Sequence, residues 1–310
     1  MILEIKNLIK RYNDLLAVDN VSMSIEDGEI FGLLGPNGAG KTTTISTLIG
    51  LTKIDGGEII IFGKNMKKHE MEIKREIGLV PQDIAIYEDM TTYENLHYFG
   101  KLYGLRGSLL KERIEEALAF TGLSDKKKEY PKKFSGGMKR RLNIACAIIH
   151  HPKLIIMDEP TVGIDPQSRN HILQAIRKLN DLGSTIIYTS HYMEEVEEIC
   201  TKIVIMDHGR VIAKGTKDEL KKLVAVDEKV LIELSSLNYT IVDNIKKIQG
   251  VKDCIVNGNH LEVLSNKQSK NLGRIIDCIS DTNSEILSLN VEKPNLESVF
   301  LTLTGRTLRD

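Results

Sequence analysis

The sequence predicts an α/β fold: a mixed sheet covered by helices, with an antiparallel β subdomain and an inserted helical subdomain, followed by a C-terminal α+β, ferredoxin-like domain. Three observations predict it. Short aliphatic runs of strand length recur at Glu29–Leu34, Ile59–Phe62, Ile77–Val80, Leu154–Met157, Thr185–Tyr188 and Lys202–Met206, with helical patterns such as Gln167–Leu182 and Met193–Ile199 between several of them. That alternation argues for parallel strands covered by helices. Between residues 88 and 150 the pattern turns helical, with Tyr93–Tyr103 and Leu109–Phe120 as candidates, as an insertion between two strands would require. From residue 225 to 310 the alternation restarts as strand Lys229–Leu234, helix Ile241–Ile248, strands Cys254–Val256 and His260–Leu264, helix Lys267–Ile279 and strand Glu285–Val291, with a closing helix Leu296–Leu303. The order βαββαβ is that of a split βαβ unit.

At the N-terminal side, Val21–Ile25 alternates with period two and Asp27-Gly28 supplies a turn before the buried run Glu29–Leu34. This pattern predicts an antiparallel hairpin feeding the first core strand. The domain boundaries expected are 1–222 for the larger domain and 225–310 for the accessory one.

With 310 residues, 41% hydrophobic and 27% charged, the chain has the composition of a globular protein with room for two cores. Lys+Arg 42 against Asp+Glu 43 gives a net charge of -1, which argues against a sequence-independent nucleic-acid binder. No apolar run approaches the ~18 residues of a membrane span. The start, Met1 to Lys6, has no signal-peptide pattern. The cysteines Cys146, Cys200, Cys254 and Cys278 are widely spaced among apolar neighbours, which reads as reduced core residues in a cytosolic protein.

The chemistry begins at Gly35-Pro36-Asn37-Gly38-Ala39-Gly40-Lys41-Thr42, which fits G-x-x-x-x-G-K-[ST] between a strand and a helix. The glycines let the backbone curl so that N–H groups point at phosphate oxygens, and the helix N-terminus adds partial positive charge. Lys41 is placed for the β- and γ-phosphates of a nucleotide, with Thr43 among the nucleotide-binding residues, and the Thr42 hydroxyl for Mg²⁺. The second half of a phosphoryl-transfer site is Leu154–Met157 followed by Asp158 and Glu159. Two carboxylates leave the end of a buried strand: Asp158 suits Mg²⁺, held through water, and Glu159 suits polarisation of an attacking water. A third element, Phe134-Ser135-Gly136-Gly137-Met138, precedes the helical run Lys139–Ile149 and makes a further anion-binding helix N-terminus. One nucleotide does not need two such sites in one chain, whereas a head-to-tail dimer uses both. The lysines at 126–128 read as a solvated surface.

Taken together these motifs resemble the ATP-binding-cassette (ABC) ATPases, over residues 1 to about 220. The loop at 35–42 and the Asp158-Glu159 pair correspond to the family's Walker A and Walker B motifs, and Phe134–Met138 to its signature. The usual signature is Leu-Ser-Gly-Gly-Gln. Ser135, Gly136 and Gly137 are kept, and Met138 replaces the Gln. The resemblance implies a P-loop ABC ATPase core with ATP and Mg²⁺ as ligands. It implies Gln82, in Val80-Pro81-Gln82, as the glutamine that contacts Mg²⁺ and water. It further implies His191, in Thr189-Ser190-His191, as the switch histidine, and Asp165 as the aspartate that reads a partner subunit. Tyr12 resembles the aromatic that stacks on adenine.

The stretches Tyr87–Leu96 and Leu301–Asp310 resemble the branch serving exporters of drugs and sodium ions. That branch implies a homodimer at the cytoplasmic face of the membrane, driving a separate membrane-spanning permease and binding no nucleic acid. A ribosome-directed ABC ATPase would resemble two tandem cassettes and a DNA-repair one would carry long coiled coils or zinc modules, while Glu159 and His191 argue against a module without turnover. Five aromatics, Tyr87, Tyr93, Tyr98, Phe99 and Tyr103, fall directly after Gln82, and aromatics anchor interfaces. The permease is therefore expected to dock between residues 83 and 103.

Overall fold

The computed structural model describes residues 1–223, 227–266, 269–282, 284–292 and 295–305. The chain divides into two compact units, the first running from Met1 to Lys217 and the second starting at Asp218.

In the first unit, strands β1 (Leu3–Tyr12) and β2 (Leu15–Ile25) form an antiparallel pair, and β3 (Ile30–Leu34) runs into helix α1 (Lys41–Leu48). Strands β4 (Gly56–Ile61) and β5 (Lys64–Asn65) follow, then α2 (Glu70–Lys74) and β6 (Ile77–Val80). Three helices come next: α3 (Thr92–Leu102), α4 (Gly107–Thr121) and α5 (Gly136–Ile148). The chain then alternates through β7 (Leu154–Asp158), α6 (Pro166–Asp181), β8 (Thr185–Ser190), α7 (Met193–Ile199), β9 (Lys202–Asp207) and β10 (Arg210–Gly215), and α8 (Lys217–Lys222) leads into the second unit.

Two sheets result. One is antiparallel, in the order β2-β1-β4-β5; the other has the order β10-β9-β3-β8-β7-β6, parallel except for β10. The antiparallel hairpin that feeds the first core strand is β1–β2, and after Asp27-Gly28 the chain enters the other sheet, where β3 lies between β8 and β9. Burial explains the separation. All five residues of β3 are buried, as in a strand covered on both faces, whereas β2 alternates and suits a half-covered antiparallel sheet. The run at Ile59–Phe62 likewise belongs to the antiparallel sheet, as β4, rather than to the parallel set. One core joins the two sheets, with Leu3, Ile5, Val21 and Ile61 meeting Phe31, Leu33, Ile156 and Val204 around Ile45 and Leu48 of α1.

The helical segment has its own core, made by Leu96, Leu110, Ile114, Leu118, Leu142 and Ile149. Helix α3 starts at a capping box in which Thr91 and Glu94 satisfy each other's backbone N–H groups.

The second unit contains β11 (Asp227–Leu234), α9 (Tyr239–Lys246), β12 (Val251–Asn257), β13 (His260–Asn266), α10 (Leu272–Ser280), β14 (Ile286–Glu292) and α11 (Leu296–Thr304). Its four strands form one antiparallel sheet, β12-β13-β11-β14, with α9 and α10 covering Val230, Ile232, Leu261 and Val263. Lys267, at the expected start of the helix that forms α10, and residues 306–310 of the closing stretch lie outside the described residues. Among the described residues no helix is long and apolar enough to cross a membrane.

Candidate active site

Three neighbouring parallel strands end at one place. β8 lies between β3 and β7, with Leu34 beside Ser190 and Asp158 beside Thr189. The loop 35–40 leaves β3, the two carboxylates leave β7, and His191 leaves β8. Open α/β sheets bind ligands at such carboxyl ends.

Gly35, Pro36 and Ala39 are buried, while Asn37 and Gly38 are exposed at the tip of the loop. Gly40 has φ 96°, and a Cβ there would lie 2.6 Å from the Ala17 carbonyl oxygen, so neither backbone nor space admits a side chain. That turn sets the first residue of α1, Lys41, at 4% exposure. Its Nζ donates to the carbonyl oxygens of Gly35 (2.8 Å) and Pro36 (3.2 Å) and lies 3.2 Å from Oε1 of Glu159. On the other side of that carboxylate, His191 Nδ1 lies 3.4 Å from Oε2. The Glu159 carboxylate thus lies between Lys41 and His191.

Thr189 fixes the Asp158 carboxylate and the Glu159 backbone. Its hydroxyl donates to Asp158 Oδ1 at 2.6 Å and accepts the backbone N–H of Glu159 at 2.8 Å. Glu159 has φ 46°, in the left-handed region that a glutamate seldom occupies. Backbone strain of this kind is kept where the surroundings hold it, and active sites are where it gathers. Asp158 and Glu159 are both nearly buried, which for carboxylates costs several kcal/mol unless they are paired.

The remaining residues lie around this cluster. Thr42 is exposed and Thr43 half-buried on the first turn of α1. Gln82 is exposed, and its backbone is held from α5: Arg140, itself buried, donates to the carbonyl oxygens of Pro81 (2.6 Å) and Gln82. Burial lowers the pKa of that guanidinium. Tyr12, at the end of β1, is 44% exposed, with Lys10 Nζ 5.2 Å from its ring centre.

Ser135 caps α5 by accepting the Met138 N–H at 3.3 Å, and Gly136 beside it is exposed. Gly137 is buried against the start of α6, where a Cβ would come within 2.2 Å of Ser168 Oγ. Met138, in place of the usual glutamine, packs against the helical core. Asp165 caps α6 by accepting from Ser168 N at 2.9 Å, and these backbone bonds hold its carboxyl below the usual carboxylate range. Among the described residues no hydrogen bond or ion pair joins Ser135, Gly136 or Gly137 to Lys41 or Glu159. Sequence reasoning gave Thr189, Arg140 and Glu195 no role. Thr189 stands two residues before His191, but nothing in its residue type shows that it bonds across to β7.

A family model described as ABC transporter matches residues 18–162. The linearmycin resistance ATP-binding protein LnrL of Bacillus subtilis (strain 168) is 46% identical, over 99% of this chain and 100% of that protein. The Nod factor export ATP-binding protein I of Cupriavidus metallidurans is 35% identical, over 100% of this chain and 99% of that protein. Among solved structures, an ATP-binding subunit of an ABC transporter superposes with TM-score 0.66 and 32% identity, covering 72% of this chain and 93% of its own. A dimeric ATP-binding cassette in a post-hydrolysis state, bound to ADP and Pi, gives 0.63 and 27%, covering 69% and 98%. The site read from three strand ends therefore has its family: this chain belongs to the ABC transporter ATP-binding proteins, as the subunit that binds and hydrolyses ATP.

Proposed function

We propose that the chain works as a homodimer on the cytoplasmic face of the membrane, where Mg²⁺-dependent ATP binding closes two copies head to tail and drives export through a separate permease. The observation that carries this reading is the buried Lys41–Glu159 pair, with the half-buried His191 beside it and Thr189 holding Asp158 and the Glu159 backbone.

In this reading the loop 35–40 and the N-terminus of α1 cradle the phosphates, and Lys41 turns its ammonium to the β- and γ-phosphates. Glu159, held by Thr189, faces the γ-phosphate and accepts a proton from the attacking water. His191 orients the same region from β8, and Tyr12 offers its exposed ring to adenine. The oxygen donors fit Mg²⁺: the Thr42 hydroxyl, the Gln82 amide and Asp158, whose Oδ2 has no hydrogen-bond partner among the described residues, are hard ligands. When bound there, Mg²⁺ would neutralise charge on the β- and γ-phosphates. Ser135, Gly136 and Gly137 point to the partner copy's ATP, since Gly136 is open and the segment makes no bond to its own Lys41. The dimeric cassette to which the chain is similar supports a dimer. Export is supported by the relatives named for antibiotic resistance and Nod factor export.

For the permease, Tyr87 and Tyr98 are exposed and meet edge to face at 5.1 Å, while Tyr93 is half-buried against the helical core. The anchor for docking between residues 83 and 103 is therefore the Tyr87–Tyr98 pair.

The dimer is tested with Glu159→Gln, which keeps the phosphate and metal donors but slows hydrolysis. Light scattering should find a dimer with ATP and Mg²⁺ and a monomer when the metal is chelated. A monomer under both conditions rejects the reading.

A further inference from the structure

Glu195, in α7, is 0% exposed and lies outside every motif discussed above. A buried carboxylate needs partners, and this one draws them from three segments around the active site. Its Oε2 accepts from Tyr188 OH at 2.6 Å, Thr161 Oγ1 at 2.8 Å and Ser190 Oγ at 3.0 Å. Arg169 Nε of α6 lies 2.8 Å from Oε1, an ion pair without hydrogen-bond alignment.

Each partner sits next to a working residue. Thr161 follows Glu159 by two positions. Tyr188 and Ser190 flank Thr189, which holds Asp158 and the Glu159 backbone. Ser190 precedes His191, and its hydroxyl oxygen also accepts the Tyr192 N–H at 2.9 Å, so it bridges both neighbours of the histidine. Arg169 adjoins Ser168, against which Gly137 of the signature is packed.

We propose that Glu195 is a positioning residue for ATP hydrolysis: by binding Thr161, Ser190 and Arg169 to one carboxylate, it holds His191 against Glu159 and joins the histidine loop to the start of α6. The chemistry of the group explains why a carboxylate stands here. It can only accept, so every hydroxyl must donate to it. Ser190 is then left with lone pairs for Tyr192 N–H. An amide in the same place brings its own protons, and at least one of these donors must reverse or be lost.

The test is steady-state ATP hydrolysis by the full-length chain. Glu195→Gln should lower kcat about tenfold and leave KM within about twofold, because the ATP-binding loop is untouched. In a His191→Ala background, the same change should cost nothing further, since residues acting as one unit are not additive. Ser190→Ala, which removes one arm of the bridge, should lower kcat about threefold at constant KM, and it provides a reading if the glutamine variant does not fold. The proposal is overturned by full kcat in Ser190→Ala or in folded Glu195→Gln. An undiminished loss in the His191→Ala background overturns it too, as does a rise in KM that matches the fall in kcat.

Discussion

The two units treat charge differently. Among the described residues, the buried residues of ionisable type (Asp, Glu, Lys and Arg) are Lys10, Lys41, Arg140, Asp158, Glu159, Glu195 and Asp207, all before residue 218. In the second unit the buried polar residues are Ser265 and Asn271, both uncharged, and Asn271 donates to Ser265 Oγ at 2.9 Å. Its charges stay at the surface, as with Lys229, which lies 2.9 Å from Glu262 and 3.7 Å from Glu292 and has its pKa raised by them. Exposed pairs of that kind contribute about 0–1 kcal/mol. Burying a charge costs far more, so a cluster of buried charges marks a place where the fold accepts instability for another end. In this chain that place is the end of strands β3, β8 and β7.

The sharpest form of the comparison is Lys41→Ala. On the proposed role, removing the ammonium takes away two charge-assisted bonds to phosphate, about 4 kcal/mol in all, so ATP affinity should fall about a thousandfold. Calorimetric titration with ATP measures it. A loss of less than tenfold would mean that this buried lysine serves the fold and not the nucleotide.

Burial of an ionisable group need not signal catalysis, and His150 separates the two cases. It stacks on Tyr103 at 3.5 Å, donates from Nε2 to the Ile77 carbonyl at 3.2 Å, and burial lowers its pKa to about 4. Folded, it resists a proton that the unfolded chain takes up near pH 6.5. Stability is therefore full above about pH 6.5 and is lost as pH falls towards 4, by about 3 kcal/mol for this one group. His150→Phe keeps a ring on Tyr103 and removes the titration. The wild type's advantage over the variant in urea midpoint should be greatest at pH 7 and should shrink or reverse by pH 5, because the wild type alone carries the extra acid slope. Parallel pH curves for the two would reject the assignment.

Much of the site was legible because its motifs are local. The loop from Gly35 to Thr42 and the run from Leu154 to Glu159 each carry strand, turn and chemistry in consecutive residues. Strand partnership was less legible. The alternation of Val21–Ile25 identifies a half-covered strand but not its neighbour, and β3 pairs with strands more than 150 residues away. Glu195 was hidden for a different reason. It sits in the run Met193–Ile199 with Glu194, Glu197 and Glu198, which reads as a solvated helix face. Only the turn of α7 against β8 and α6 shows which of the four acids is inside.

The smallest effect expected is on ATP binding when the second unit is removed. Tyr12, the loop at 35–42, Gln82, the signature, Asp158, Glu159, Thr189, His191 and Glu195 all lie before residue 196. The core that fixes the site's strands is built from Ile2 to Met206. The second unit adds no buried charge among its described residues, and its sheet is closed over by its own helices α9 and α10. A chain ending at Lys222, where the accessory domain was expected to begin a few residues later, should therefore keep its ATP affinity within about twofold, or about 0.4 kcal/mol. Its effect should fall on ATP-driven dimer formation or on coupling to the permease, which light scattering and transport assays would register. If the shortened chain is folded and does not bind ATP, the second unit contributes to the site and the contrast between the two units fails.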